Sequence, residues 1–442
     1  MLLAALLLAA LPLAACQPTT VSAPPPGQQA AVPTVIDSQR PPPAPVEPAT
    51  ALAPAGSAAP TLPSGPITVA LLLPLSGERA ALGHDLLDAA TLALFDLARD
   101  DLVIVPKDTA GDPARAATAA AAALGEGARL ILGPLFAPEV AAVAPAAAAA
   151  GVPVVAFSSD RRAASPGSYV FGLAPEDQID QVVAYALAQG RTRFAALAPQ
   201  TDTGRLMARA VARVVTERGG RLAQPGFYPS GAIDQSGPVR DFADFATRPA
   251  AAELQRAVLE GRSDDLARRA RAELDLALAQ GWLGYDAVLV PDAGQSLRSV
   301  AAMLPFFDIA PPDVQILGTA AWDEPRSLVE PGLAGAWFAA PDQALKDAFA
   351  ARFRAAFGRQ PGPIASLAYD AVALAGALVA TAPDAPFATA RLTQPSGFAG
   401  VDGVFRFLPD GTSQRALAIF RVAAGKAEQV APAATSFELL TQ

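Results

Sequence analysis

Residues 67–75 read ITVALLLPL, an apolar run rich in branched side chains and bounded by Pro66 and by Ser76-Gly77. A strand with one wet face alternates apolar and polar residues. This run does not alternate, so it reads as a strand buried on both faces, the pattern of a parallel sheet covered by helices. Helical periodicity follows from Arg79 to Leu97, and LVIVPKD reads as a second strand. Asp112-Pro113 opens the next helix, since it sets a side-chain acceptor before a residue with no N–H to satisfy. That helix runs to about Gly125. Arg129 to Leu132 is a third strand, a helix continues through Ala150, and VPVVAF is a fourth. Strand-helix alternation of this kind predicts an open, parallel α/β sheet.

A second series begins at Phe194 with FAALAP, then a helix from about Gly204 to Arg218, then GFYP, DAVLVP and VQILGT. Two α/β series of similar plan predict two lobes facing each other across a cleft. Ligands of such sheets sit beyond the carboxyl ends of the strands. By that criterion alone the candidate cleft residues are Ser76, Gly77, Glu78, Gly133, Phe136, Ser158, Ser159, Thr201, Asp202, Asp292 and Trp322. Ser158 and Ser159 also read as loop residues whose hydroxyls bond nearby backbone.

Residues 239–281 break the rhythm. Ser263 is placed to cap a helix with Asp264 and Asp265 in its first turn, where negative charge is favourable. Leu266, Ala270, Leu274 and Leu278 recur every four residues, and Gly281 is a stop. The expectation is a helical hairpin packed on the second lobe, with a partner-binding insertion as the sharper reading. Near the C-terminus, Asp410-Gly411 lies between two strand-like runs and predicts a hairpin.

Upstream, residues 1–15 are uninterrupted apolar sequence, shorter than the ~20 residues a spanning helix needs. The run has the length of a signal-peptide core. It ends Leu13-Ala14-Ala15-Cys16, which resembles the bacterial lipobox. That resemblance implies cleavage before Cys16 and a lipid anchor on its thiol and amine. Gln17, rather than Asp, follows the cysteine, which in this resemblance leans towards the outer membrane. Residues 16–65 then form a lipidated, Pro/Ala-rich tether. Positions 17–64 hold 13 prolines and no aromatic residue. Such a segment is expected to be disordered, because it cannot bury enough apolar surface to offset its ordering entropy.

Several chemistries are excluded. A net charge of −9 argues against a nucleic-acid partner, which needs a basic face. Cys16 is the one cysteine and His84 the one histidine, so neither a His/Cys zinc site nor a disulfide can be built downstream. No G-x-S-x-G elbow and no phosphate-binding glycine loop is present. The sequence therefore points to a non-enzymatic protein with no cofactor and no metal.

The blocks ITVALLLPLSGERAALGHDLLDAATLAL, DTAGDPARA, ILGPLFAPEVAAVAPAAAAAGVPVVAFSS and LAYDAVALAGAL resemble type I periplasmic binding proteins of the branched-chain amino-acid group, in the family's order. FAGVDGVFRFLPDG resembles that group's C-terminal strand motif. The resemblance implies a two-lobed fold, each lobe a parallel-sheet α/β sandwich, with three hinge crossings. Carried onto this chain, lobe one is 67–174 plus 336–398, and lobe two is 175–335 plus 399–430, with 239–281 as a helical insertion.

One branch is nearer. GPL before a helix, FGLAPEDQ, and YDAVLVPDAGQSLRSVAAMLPFFDI resemble the lipoprotein activators of class A penicillin-binding proteins. This implies a regulator of peptidoglycan synthesis, with a synthase as partner, held in the periplasm on the inner leaflet of the outer membrane. The Pro-rich segment stands where those activators carry a helical-repeat domain. The alternative is the substrate-binding receptor of an ABC-type transporter, with a permease as partner and an amino acid or related solute as ligand. Amino-acid receptors of this fold carry hydroxyl residues just after the G-P/H-L turn, but here Phe136, Ala137 and Pro138 occupy those positions. Free amino acids are therefore not expected to bind.

Overall fold

The computed structural model describes residues 65–437 apart from Gln224 and residues 280–282. The apolar leader, Cys16, all but the last residue of the Pro-rich segment, and Gly281 lie outside the described residues.

Lobe one begins with β1 (Ile67–Leu73), α1 (Ala80–Leu97), β2 (Leu102–Asp108), α2 (Pro113–Gly125), β3 (Leu130–Leu132), α3 (Ala137–Ala149), β4 (Val154–Ala156) and β5 (Ser168–Val170). The strands form one sheet in the order β2-β1-β3-β4-β5, and every pairing is parallel. β1 is buried almost throughout because both of its faces are covered. Val69, Leu71 and Leu73 join one apolar cluster, while Ala70 and Leu72 join another. The second cluster is built largely from alanine. Ala116, Ala120 and Ala123 of α2 meet Val140, Val143 and Ala147 of α3, and such small side chains let two helices sit close against the sheet.

Lobe two continues with α4 (Pro175–Ala188), β6 (Arg193–Pro199), α5 (Asp202–Glu217), β7 (Arg221–Leu222), β8 (Gly226–Tyr228), α6 (Ser236–Phe242), α7 (Arg248–Glu260), α8 (Asp265–Ala279), β9 (Ala287–Leu289), α9 (Gly294–Ala301), β10 (Gln315–Thr319), α10 (Pro325–Leu328) and β11 (Trp337–Ala340). The chain then returns to lobe one through α11 (Gln343–Phe357), α12 (Ala365–Thr381) and α13 (Thr389–Leu392). Next come β12 (Phe398–Gly400), β13 (Gly403–Phe407) and β14 (Ser413–Arg415), before β15 (Ala418–Ala423) and β16 (Lys426–Ala431). The second sheet runs β16-β15-β11-β10-β9-β6-β7, with β8 also on β6. Its β6, β9, β10 and β11 are parallel neighbours, whereas β15 and β16 add antiparallel edges.

The expected lobe boundaries need two corrections. β11 was expected in lobe one, but it pairs in parallel with β10 and antiparallel with β15, so residues 337–340 belong to the second sheet. Residues 399–415 were expected in lobe two. Instead, Phe405 and Phe407 alternate inward from β13 onto Tyr169 and Phe171 of lobe one, with centroid distances of 4.6 Å for Phe171–Phe405 and 5.0 Å for Tyr169–Phe407. The three crossings therefore fall at 171–174, 341–342 and 416–417.

The Asp410-Gly411 hairpin forms, joining β13 to β14 with Phe407 opposite Ser413, and Gly411 takes φ +88°. The apolar run after it does not stay one strand: it breaks at residues 416–417, where the chain passes to the other sheet. The helical hairpin forms as α7 against α8, with two differences from the sequence reading. Asp264, not Ser263, caps α8, accepting from Ala267 N at 2.9 Å. Leu266 points outward at 69% exposure, while Ala267 and Leu274 turn inward.

Candidate ligand-binding cleft

At the end of β1 and β2, the Asp108 carboxylate organises the first loop. Its Oδ1 accepts from the backbone N–H of Leu75, Ser76 and Ala110 at 2.9, 3.1 and 2.8 Å. Its Oδ2 accepts from Ser76 Oγ at 2.6 Å and Arg115 Nη2 at 2.9 Å. Burial pushes this carboxyl up, but the bonds from the Ser76 hydroxyl and the three N–H groups outweigh it and hold it below the ordinary range. The Ser76 hydroxyl is therefore committed to its own loop, and Gly77 and Glu78 are exposed beside it.

The β3 end is equally constrained. Gly133 has φ +84°, and a Cβ there would lie 2.2 Å from Leu72 O, so only glycine fits. Phe136 follows, half-buried, and its N–H donates to Glu139 Oε2 at 3.0 Å, which satisfies one of the open donors at the start of α3. Its ring edge faces Gly111. Ser158, at the β4 end, is buried and accepts from Asp160 N at 3.1 Å, while Ser159 is exposed.

On lobe two, Thr201 caps α5, accepting from Gly204 N at 3.0 Å. Asp202 is fully exposed and pairs with Arg205 at 2.8 Å. Asp292 is held from three sides. Tyr228 Oη donates to its Oδ2 at 2.6 Å, Ala293 N donates to its Oδ1 at 2.8 Å, and its carbonyl accepts from Trp322 Nε1 at 3.2 Å. Burial, and then the bond to Asp292, push the Tyr228 phenol up, so it stays a protonated donor.

Trp322 needs correction as a cleft residue. It is completely buried against Gly318 and Phe338, because the short turn after β10 folds its indole back into the core. It supports the Asp292 loop from below rather than facing the cleft.

The crossings carry charges that strand-end reasoning did not single out. Asp177, at the start of α4, accepts from the Arg161 guanidinium, which also donates to Ser413 O at 3.1 Å. Burial pushes the Asp177 carboxyl up to about 7 against the pull of Arg161 and Arg415. Arg415 is buried over the rings of Phe171 and Phe405 and donates to Phe171 O at 3.3 Å. Asp370 accepts from Val401 N at 2.8 Å, and Ser366 Oγ donates to Asp402 Oδ2 at 2.7 Å. Burial, then the charge of Asp402, raise the Asp370 carboxyl well above its ordinary value. The signal available in sequence was a set of charged residues inside apolar blocks, such as Asp370 in LAYDAVALAGAL.

A cavity of about 510 Å³ lies beside these crossings, between lobe-two residues Ala320 and Asp323 and lobe-one residues that include Lys346, Phe349, Leu367 and Asp402. None of the eleven strand-end candidates lines it. Among the described residues, no group of three or more His, Cys, Asp or Glu is arranged to hold a metal ion. No described helix is long and apolar enough to cross a membrane.

This arrangement, two α/β lobes joined by three crossings with hydrogen-bonded strand-end loops on each, agrees with the family comparison. The periplasmic binding protein family profile matches residues 66–427. The chain belongs to that family. Its type I fold is shared by solved structures of low sequence identity. The branched-chain amino acid ABC transporter periplasmic ligand-binding protein of Burkholderia xenovorans is 16% identical, with TM-score 0.60 over 83% of this chain and 94% of that one. LivJ of Streptococcus pneumoniae, a branched-chain amino acid transporter substrate-binding protein in complex with isoleucine, is 18% identical, with TM-score 0.52 over 83% and 100% of the two chains. A solute-binding protein of an ABC transporter from R. palustris, in complex with benzoate, is 17% identical, with TM-score 0.52 over 84% and 98%. At these identities the likeness is one of fold. The search of curated proteins gave no match. By their descriptions these three structures are substrate-, solute- or ligand-binding proteins of ABC transporters.

Proposed function

We propose that this periplasmic binding protein is a solute receptor that takes a small ligand between its lobes and presents it to an ABC-type permease. The observation that carries this reading is the two-lobed fold, whose strand ends hold polar groups in place. Ser76, Ser158, Thr201 and Asp292 are each fixed by bonds within their own lobe, and fixed polar groups are what a pre-formed site requires. Phe136 at the β3 end, without a hydroxyl in the turn after Gly133, favours an acid with an apolar body over a free amino acid. The solved relatives with isoleucine and with benzoate bracket that choice. Thermal melting against branched-chain amino acids and aromatic carboxylates tests it. Stabilisation by benzoate-type acids is expected, and no stabilisation by any acid of the panel would remove the receptor reading.

A second reading has its own observation. On the α7–α8 hairpin Leu254, Val258 and Leu266 are exposed at 68, 63 and 69%, an apolar face of the kind that marks protein partners. This favours a lipid-anchored envelope protein that regulates peptidoglycan synthesis through a class A penicillin-binding protein, with Cys16 as the anchor. Cross-linking of the full-length protein in cells, followed by mass spectrometry, separates the two. A permease as dominant partner supports the receptor, and a peptidoglycan synthase supports the regulator.

A further inference from the structure

The cavity beside the crossings is lined by none of the eleven strand-end candidates, although Ala320 and Asp323 stand just past β10, and its lining has a chemistry of its own. At about 510 Å³ it is of small-molecule size, far larger than the one or two waters that satisfy buried polar groups. Its lining includes the apolar side chains of Leu173, Phe349, Ile364 and Leu367. It also includes Asp323, Asp347 and Asp402 against a single cation, Lys346. That lysine is already engaged with Asp323 at 3.8 Å, and Gln343 donates to the same carboxylate. Asp402 is nearly buried and is held by Ser366. The lining therefore carries excess negative charge beside an apolar wall, in a place where water is partly excluded and a charge-assisted hydrogen bond is strong.

We propose that this cavity is a second ligand site, which takes a primary amine with an apolar body, such as an arylalkylamine, and uses it to tie the lobes together. The ammonium would sit among Asp323 and Asp402, and the body would lie on Phe349 and Leu367. An anion is disfavoured by three carboxylates. A fully apolar ligand would leave them unpaired. Because Asp323 stands on lobe two while Asp402 and Phe349 stand on lobe one, an occupant touches both lobes at the crossing and favours one lobe arrangement over others. Asp370 supports the same chemistry: its carboxyl is raised partly by the charge of Asp402, and a bound ammonium would relieve that repulsion.

The test uses phenethylamine, with phenylacetate as the anionic control of similar shape, and titration calorimetry on the full chain. Phenethylamine is expected to bind here, and phenylacetate, an aromatic acid that the solute reading assigns to the strand-end cleft, is expected not to compete with it. Asp323→Asn should weaken phenethylamine about tenfold, the scale of one charge-assisted bond. Lys346→Gln should tighten it by about threefold or more by removing the competing cation, a gain that misfolding cannot imitate. Hydrogen exchange with phenethylamine bound should show protection at residues 343–350, 360–367 and 401–402. Protection at 76–78, 133–136 and 158–159 instead would place the amine in the strand-end cleft and overturn the proposal, as would an absence of binding at millimolar phenethylamine. An absence of phenethylamine binding leaves the solute reading as it is, because that reading is tested with acids.

Discussion

Asp177 of lobe two accepts a hydrogen bond from the guanidinium of Arg161 in lobe one, so an ion pair crosses the hinge where α4 begins. The pair is nearly dry on the carboxylate side, 9% exposed against 25% for the arginine. Burial costs the carboxylate more than the two nearby arginines return, and its pKa rises to about 7 from an ordinary 3.8. Asp370 shifts in the same direction from burial and from Asp402.

These two groups set a pH dependence of stability. Between about pH 4 and 7 the native protein holds protons at Asp177 and Asp370 that the unfolded chain has released. Stability therefore falls as pH rises through that window, by up to about 1.4 kcal/mol per pH unit for each group. The carboxyls held low, among them Asp108, Asp160 and Asp410, act in the opposite sense, but only below about pH 4, so they do not cancel it. Urea midpoints should be higher at pH 5 than at pH 7.5, and Asp177→Asn should flatten the slope. A midpoint that rises with pH over this range would contradict the assignment.

Much of this architecture was legible in sequence, for a physical reason. Doubly buried strands cannot alternate, so ITVALLLPL and VPVVAF announce a parallel sheet by themselves. The lobe boundaries were less legible. The strand WFAA and the segment GVFRF could each complete either sheet by pattern, and only their long-range pairing with β10 and their packing on Phe171 assign them. The site divided in the same way. Strand-end position singled out Ser76, Ser158, Thr201 and Asp292 as candidates, but not the partners that hold them. Asp108 and Tyr228 are distant in sequence from the groups they bind, and no spacing rule connects them. Trp322 shows the converse: a residue at a strand end can turn back into the core.

Asp108 is expected to matter to the first loop more than Ser76 does. Asp108→Ala removes the acceptor for three N–H groups, a hydroxyl and a guanidinium. It should lower stability by about 2–4 kcal/mol, whereas Ser76→Ala, which loses one bond, should cost about 1 kcal/mol. Chemical denaturation of the two variants checks this, and equal losses would mean the loop is held by packing instead.

Gly318 and Trp322 form a second pair with a defined cost. A Cβ on Gly318 would lie 2.2 Å from the indole of Trp322, which is walled in on all sides. Gly318→Ala should therefore destabilise by about 3 kcal/mol or more through overpacking, and Trp322→Ala by about 3–5 kcal/mol through the cavity it leaves. The double variant should cost less than the sum, because the new methyl enters the space the indole vacates. Additive losses measured by urea unfolding would show that the two sites do not share that space.

Cys16 is the anchor under the lipoprotein reading. Cys16→Ala should move the protein from the membrane fraction to the soluble fraction, because stable attachment comes from its acyl chains. Membrane fractionation unchanged by the substitution would remove lipidation from the account, while leaving the folded body and its ligand chemistry as they are.

Phe136 separates the ligand role of the cleft from its stability. The ring is half-buried, touches the lobe-one core and faces Gly111, so its loss costs packing on one side only. Phe136→Ala should lower stability by about 1–2 kcal/mol, less than truncation of a fully enclosed phenylalanine. If its exposed face is a wall for the solute, the same substitution should weaken the best-stabilising aromatic acid by about tenfold or more, since burying a ring face against an aromatic partner is worth about 0.5–1.5 kcal/mol beyond area. Calorimetry on the variant, at a temperature where it remains folded, reads the two effects apart. Unchanged affinity with the expected loss of stability would make Phe136 a core residue alone and move the ligand's apolar contact elsewhere in the cleft.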